Sequence, residues 1–273
     1  MTTEPVSAEA RTDAAPVARR IPSERTFHGD TFTDDYAWLA DPGNPETIAY
    51  LEAENAYAGA MTADQAALRE AIFGEIKART QETDLSVPSR KGGWWYYART
   101  VAGSQYPVHC RRAVRPGDAG PPMTRGGAPL DGEEVLLDGN ELAAGQEFFA
   151  LGAFAPSPDG RLLAYSTDFA GSERYTLRIK DLATGDLLPD EIPGTYYGLG
   201  WSLDGSALLY VTVNDAWRPY RVSRHMVGTP AAQDVVVFEE ADERFGVGVG
   251  LTGATDHLLV KMIIGRRFGG RKS

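Results

Sequence analysis

The chain has 273 residues, 24% of them charged and 42% hydrophobic, which is typical of a globular protein of one large or two small domains. Thirty-eight Asp and Glu against 27 Lys and Arg leave a net charge of −11, which argues against nucleic-acid and anionic-membrane partners. The single cysteine, Cys110, excludes an intramolecular disulfide, and the absence of a leader-like or membrane-spanning apolar run predicts a cytoplasmic protein.

The N-terminal part is predicted to be a tail followed by helices. Residues 1–24 are rich in Ala, Pro, Thr and Glu and hold few large apolar side chains, so we expect a disordered tail. Asn44 followed by Pro45 is typical of a helix N-terminus. We therefore predict an N-terminal extension over residues 25–82 that contains a helical hairpin at 44–80.

The second helix of that hairpin is predicted to begin near Thr62. Gln65 follows three residues later, a spacing that fits a capping box. An apolar stripe then runs along the helix, formed by Leu68, Ile72, Phe73 and Ile76. Such a stripe needs a partner surface, and it would be exposed without one.

From residue 87 onward the pattern indicates strands. Thirty glycines and 17 prolines favour a turn-rich β structure over a helical bundle. Trp94–Tyr97 is a strand-forming aromatic run, and residues 115–133 form a polar loop rich in Gly and Pro. A short apolar strand follows at residues 135–137.

An internal repeat indicates the fold class. Residues 157–165 (SPDGRLLAY) recur as residues 202–210 (SLDGSALLY), an offset of 45 residues. Weaker echoes lie at residues 92–97 and 255–260. Each copy is a turn followed by an apolar strand, and a period near 45 favours a β-propeller over a β-sandwich. We predict a mainly β fold, a partial β-propeller of about three to four blades at residues 83–264.

No catalytic residue can be assigned from these patterns. The nearest approach to G-x-S-x-G surrounds Ser202, but it ends in Asp204 and lies within the repeat, so we interpret this serine as structural. The four histidines, His28, His109, His225 and His257, show no metal-ligand spacing. A catalytic triad is recognised by geometry and stays open at this stage, and we predict no metal and no cofactor.

Two further motifs have a functional and a structural interpretation. Trp94–Tyr97 could stack on a sugar or base, but a half-buried aromatic strand is favoured. Residues 246–250 (GVGVG) lack dinucleotide-loop spacing and favour a strand near a propeller axis. The acidic surplus could steer cationic peptides towards the protein, although solubility is the simpler explanation.

The last nine residues depart from the preceding pattern. Residues 258–264 form an apolar strand pattern, whereas residues 265–273 carry four positive charges among glycines. A basic nucleic-acid-binding tail is one interpretation. The hypothesis we favour is an aberrant basic tail that marks a truncated or frameshifted reading frame.

Several motifs in order resemble the prolyl oligopeptidase family. The resemblance begins with HGDT at residues 28–31 and DYAWL at 35–39, and continues with YLEAEN at 50–55. The stretch RPYRV at 218–222, followed by RH at 224–225 and GTP at 228–230, is similar to the oligopeptidase B (protease II) branch. The resemblance covers residues 20–264, nearly the whole chain.

The resemblance implies a two-domain serine peptidase. In that family a seven-bladed propeller caps an α/β-hydrolase domain, which carries the Ser-Asp-His triad, and the N-terminal segment packs on the hydrolase domain. The oligopeptidase B branch cleaves short peptides after Arg or Lys. None of the hydrolase-domain motifs has a counterpart here, so no catalytic residue is carried over to this chain and the α/β-hydrolase domain is expected to be absent from it.

We therefore expect the N-terminal propeller region of an oligopeptidase B-like endopeptidase, inactive by itself. Its expected partners are short basic peptides, bound through the parent enzyme, and an α/β-hydrolase domain in cis or in trans. The alternatives are a non-enzymatic propeller fragment that pairs through open sheet edges, and a fragment that complements a separate hydrolase chain.

Overall fold

A computed structural model describes residues 14–251 and 258–260. Their contacts divide the chain into two compact units, with the division between Gln81 and Glu82. In the described part of the chain, no helix is long and apolar enough to cross a bilayer.

The first unit contains a β-hairpin and two helices. Its elements are β1 (Ser23–Phe27), β2 (Asp30–Asp34), α1 (Pro45–Met61) and α2 (Ala66–Arg79). The Asn44 side chain accepts a hydrogen bond from the Glu46 amide, which confirms the predicted start of α1. The tail predicted for residues 1–24 is too long, because the Ile21 amide bonds to Asp35 and Ser23 pairs with Asp34 in the hairpin. Its residues 1–13 lie outside the described chain.

The capping box predicted for α2 is wrong. The Thr62 hydroxyl donates backwards to the carbonyl of Ala58 at 2.8 Å and accepts from Arg69 at 2.9 Å. A 3₁₀ turn at residues 63–65 continues directly into α2, and Gln65 makes no capping hydrogen bond. The hydroxyl is therefore engaged by the preceding and following helices instead of by an amide of the next turn.

The second unit is an antiparallel β structure with a short helix. Its elements are β3 (Asp84–Leu85), β4 (Ser89–Lys91), β5 (Trp94–Thr100), β6 (Val108–Ala113), β7 (Glu133–Asp138), α3 (Gly139–Leu142), β8 (Ala150–Pro156), β9 (Leu162–Asp168), β10 (Tyr175–Asp181), β11 (Leu187–Trp201), β12 (Ala207–Val213), β13 (Pro219–Met226), β14 (Val235–Glu239), β15 (Val249–Leu251) and β16 (Leu258–Val260).

Twelve of these strands form a five-stranded and a seven-stranded sheet, which we divide into three blades. In the first blade β3 and β4 share one edge of β5, followed by β6 and β7. The second blade is β8, β9, β10 and the first part of β11, and the third is the rest of β11 with β12, β13 and β14. The long strand β11 pairs with β10 through Leu187–Thr195 and with β12 through Thr195–Trp201, so it serves both blades. The predicted partial β-propeller is confirmed.

The sequence repeat forms the first turn of consecutive blades. In the second blade the Ser157 hydroxyl donates to Asp159 at 2.6 Å, and in the third Ser202 donates to Asp204 at the same distance. Glycines 160 and 205 end the two turns at φ of 72° and 70°, a conformation that other residues rarely adopt. The echo at residues 255–260 lies partly outside the described chain, as does the tail at 265–273.

The core lies in layers between neighbouring blades. The first joint packs Leu136 and Leu137 against Leu163 and Tyr165. The second joint is larger, and its buried members are Ala164, Leu177, Ile179, Ile192, Trp201, Leu208 and Tyr210. The second blade is thus covered on both faces, as a propeller requires.

Candidate functional site

Four aromatic side chains, two of them exposed, gather near the bend of β11 and the turns from β9 to β10 and from β12 to β13. We define the aromatic rim as Tyr175, Tyr196, Tyr197 and Trp217. The Tyr175 and Tyr197 hydroxyls are 2.5 Å apart, and the rings of Tyr196 and Tyr197 meet edge-on at 4.9 Å. Trp217 lies 6.1 Å from Tyr196, and 42% of it is exposed. The rim thus exposes Tyr197 and Trp217 to solvent, with the half-buried Tyr196 between them.

The bend in β11 places two adjacent tyrosines on this rim. Side chains alternate between faces along a regular strand, so neighbours normally point apart. Glycines 194 and 198 flank the pair at φ of 72° and 101°, and the pairing register shifts between Thr195 and Leu199. The strand therefore leaves its regular pleat at the two tyrosines.

Tyr175 is the buried anchor of the rim. Only 1% of it is exposed, and its ring packs on Gly152, where an added Cβ would lie 2.5 Å from the ring. Burial, together with the hydrogen bond to Tyr197, raises the pKa of Tyr175 well above its ordinary value. The anchor is therefore neutral, and its proton is held towards Tyr197.

Arg174 joins the two loops that carry the rim. Its guanidinium donates to the carbonyl of Asn214 at 3.2 Å, lies 3.8 Å from the Asp215 carboxylate, and sits 5.5 Å from the centre of the Trp217 ring. A guanidinium over an indole face is attractive. A cation of the second blade thus holds the exposed indole of the third.

Both loops contain a bulky residue in the left-handed region. Glu173 has φ of 50° and Trp217 has φ of 59°, and such values cost energy and cluster at functional sites. Asp168 holds the first loop by accepting from the amides of Ala170 and Glu173. Asn214 holds the second by accepting from the amides at residues 216 and 218. The loops are therefore fixed by side chains at the ends of their strands.

The serine, aromatic and glycine-rich motifs considered from the sequence are not part of the aromatic rim. Ser202 belongs to the first turn of the third blade, at the other end of β12 from Trp217, and its hydroxyl is engaged by Asp204 and Ala207. Trp95 and Tyr97 are buried while Trp94 and Tyr96 are partly exposed, which confirms the half-buried strand. The Arg111 guanidinium lies 3.8 Å from the Trp94 ring centre, so that face is covered. In residues 246–250 only the end enters a strand, β15.

The aromatic rim was not predicted from the sequence. Its signal was present in the adjacent tyrosines at 196–197 between two glycines, but their meeting with Trp217 depends on two blades lying side by side. Among the described residues, no group of three or more His, Cys, Asp or Glu side chains is arranged to hold a metal ion.

Comparison with known proteins gives consistent matches. Residues 16–267 match the family described as prolyl oligopeptidase, N-terminal beta-propeller domain. The chain is 43% identical over 253 residues to dipeptidyl aminopeptidase BI of Pseudoxanthomonas mexicana, covering 90% of this chain and 35% of the relative. It is 36% identical over 232 residues to Protease 2 of Moraxella lacunata, covering 84% and 32%.

Solved structures agree in fold. Oligopeptidase B from Leishmania major matches with a TM-score of 0.77 and 28% identity, covering 92% of this chain and 36% of that structure. The Trypanosoma brucei oligopeptidase B, solved with covalently bound antipain, matches with a TM-score of 0.75 and 29% identity over the same shares. The chain thus spans about a third of the length of these relatives.

Proposed function

The chain belongs to the prolyl oligopeptidase family, whose N-terminal propeller domain it matches, and on this premise we propose that it is the propeller part of a serine oligopeptidase. Peptide hydrolysis would then be carried out by an α/β-hydrolase domain outside these 273 residues, in the same polypeptide or in a separate chain. In such a domain Ser attacks the peptide carbonyl, His transfers the proton and Asp orients His.

The aromatic rim is the observation that assigns a role to this chain. Its exposed Tyr197 and Trp217, with Arg174 and Asp215 beside them, can contact the apolar and charged groups of a short peptide. Fixed loops would keep that surface rigid, since Asp168 and Asn214 hold their backbones. We propose that the rim faces the peptide and that the propeller wall admits only short chains.

The proposed substrates are short peptides cleaved after Arg or Lys in the cytoplasm. The structural relatives of the oligopeptidase B type support this class, and the net charge of −11 would attract cationic peptides from solution. A relative of higher identity is a dipeptidyl aminopeptidase, so removal of N-terminal dipeptides is the competing specificity.

A peptidase assay tests this proposal. A fluorogenic peptide with Arg before the leaving group is incubated with the 273-residue chain, alone and with a separately expressed α/β-hydrolase domain of the oligopeptidase B type. We expect no turnover by the chain alone and turnover after mixing. Turnover by the chain alone would contradict the proposal that hydrolysis is carried out by a domain outside these 273 residues.

The rim is tested in the same mixture. Trp217→Ala removes the exposed indole and is expected to raise KM several-fold while kcat stays nearly unchanged. Leu203→Ala is the control, because Leu203 is 68% exposed in a turn at the other end of β12. Equal KM values for the two variants would show that the rim does not take part in peptide binding.

A second function is favoured by the exposed stripe on α2. Leu68, Phe73 and Ile76 are each 60% exposed, and an apolar surface of this kind is typical of an interaction site. The alternative is therefore a non-enzymatic module that binds another chain through this helix. Light scattering at increasing concentration distinguishes the two, since a chain that is monomeric throughout contradicts self-association.

A further inference from the structure

Three side chains form a buried cluster between the second and third blades. His225 on β13 is fully buried, and its Nε2 lies 2.7 Å from Oδ1 of Asp190, while its Nδ1 lies 2.7 Å from Oδ1 of Asp234. Asp190 belongs to β11 in the second blade, and Asp234 precedes β14 in the third. The imidazole is thus held between two carboxylates and across a blade joint.

Both contacts can be hydrogen bonds only if the cluster holds two protons. An ionised carboxylate accepts but does not donate, and a neutral imidazole has one N–H. The second proton can reside on the ring or on a carboxyl oxygen. With one proton fewer, a ring lone pair faces a carboxylate oxygen and the buried cluster carries two negative charges.

The surroundings offer little compensation for that second charge. The Gly228 amide donates to Asp190 Oδ1 at 2.6 Å, and the Tyr210 hydroxyl donates to Asp234 Oδ2 at 2.8 Å. Asp190 Oδ2 is buried without a hydrogen-bond partner. The positive charge of Arg221 on β13 interacts electrostatically with Tyr210, but the Arg221 guanidinium is ion-paired with Glu239 at 2.9 Å.

The described residues place no Lys or Arg within ion-pair distance of Asp190 or Asp234. A second buried negative charge is costly without a partner, so loss of the proton works against the closed joint.

We propose that Asp190, His225 and Asp234 form a proton-operated latch between the second and third blades. The latch is closed while the cluster holds two protons, because His225 then bonds to both blades. It opens when rising pH removes one proton, because the contact to one carboxylate becomes repulsive. The joint that supports Arg174 and Trp217 at its other end would loosen with it.

Hydrogen exchange of the 273-residue chain between pH 6 and 10 tests the latch. Protection factors, corrected for the intrinsic pH dependence of exchange, are followed at the Gly228 amide and along β13. Because opening releases one proton, protection is expected to fall by up to tenfold per pH unit between the pH at which the open joint loses that proton and the higher pH at which the closed latch loses it. A flat profile across this range overturns the proposal.

The variant Asp234→Asn attributes the effect to the latch. The Asn amide can donate to His225 Nδ1 while its oxygen accepts from Tyr210. A neutral His225 with its single N–H towards Asp190 then makes every hydrogen bond of the cluster. Protection should therefore become independent of pH. His109→Gln is the control, because His109 is a partly buried histidine of β6 that stacks on Phe154 at 4.7 Å. This control should keep the wild-type fall. A fall that persists in Asp234→Asn overturns the proposal.

A second measurement uses only the wild-type chain. Ring-nitrogen NMR of His225 in the wild-type chain should change near the pH at which the fall in protection ends, where the closed latch loses its proton. Signals that stay constant from pH 6 to 10 would overturn the latch even if Asp234→Asn failed to fold.

Discussion

The two units of the chain satisfy their backbones in similar ways but bury their side chains very differently. In the second unit, Leu163, Ile179, Leu208 and Val211 are fully buried between blades. In the first unit Thr47 is the one buried residue of α1, and α2 has none. Local hydrogen bonds and caps therefore form helices that lack a core of their own, and most helical stability normally comes from packing.

This contrast indicates which unit depends on a partner. Burying a large apolar side chain stabilises the folded state by about 1.5–3 kcal/mol. The side chains of the stripe on α2 do not contribute this free energy while they are exposed. The propeller unit obtains it from its own neighbouring blades. We expect the second unit to unfold cooperatively and the first to open locally.

The largest expected effect is at the joint of the second and third blades. Trp201 is 3% exposed, and its Nε1 donates to the Ala155 carbonyl at 2.8 Å. Trp201→Ala should lower the free energy of unfolding by about 3–5 kcal/mol, because it leaves a cavity and an unpaired carbonyl. Trp217→Ala, at an exposed indole, is the control in the same denaturant titration. Equal losses for the two variants would contradict a core at this joint.

The thiol of Cys110 reports separately on the propeller unit. The side chain is fully buried, and burial, followed by the nearby Glu133, raises its pKa to about 12. Since the thiolate is the reactive form, labelling at pH 8 should be slower than for an unfolded thiol by about a thousandfold. A labelling rate in native buffer close to that in denaturant would show that the blades are open.

A smaller effect is expected at the start of α1. Asn44→Ala removes the cap on the Glu46 amide and should destabilise the helix by about 1 kcal/mol. Because α1 belongs to the first unit and Cys110 to the second, circular dichroism should lose helical signal while the Cys110 labelling rate stays constant. A matching change in labelling would show that the two units unfold together.

The smallest effect is expected on the exposed stripe. Ile72→Ser changes a side chain that is 47% exposed and should alter the free energy of unfolding by less than about 0.5 kcal/mol. Ile179→Ser, at a fully buried position of the propeller unit, is the matched control and should unfold the chain at much lower denaturant. A large loss from Ile72→Ser would reveal a partner surface for α2 within the chain.

The features predicted correctly from the sequence are those set by short-range chemistry. The turns at Asp159 and Asp204 follow from residues within five positions of each other, and the cap at Asn44 from the next two. The capping box failed because Thr62 had a competing acceptor one turn earlier. Local rules do not show which of two available partners a hydroxyl chooses.

Features that depend on long-range contacts could not be predicted from the sequence. The use of β11 by two blades is seen only when β10 and β12 are in place, and glycines 194 and 198 lie where the pairing changes from one to the other. The latch joins His225 to Asp190, 35 positions away. Nothing in the spacing of the histidines indicated that contact, because blade packing, and not chain proximity, brings the two residues together.

Hydrogen exchange along the whole 273-residue chain in isolation tests the central claim most directly. We expect slow exchange in β9, β10 and β12 of the propeller unit and fast exchange throughout α2. Addition of an α/β-hydrolase domain should then slow exchange in α2 alone. Equal protection of α2 and the blades in the isolated chain would contradict the claim that the helical unit needs a partner.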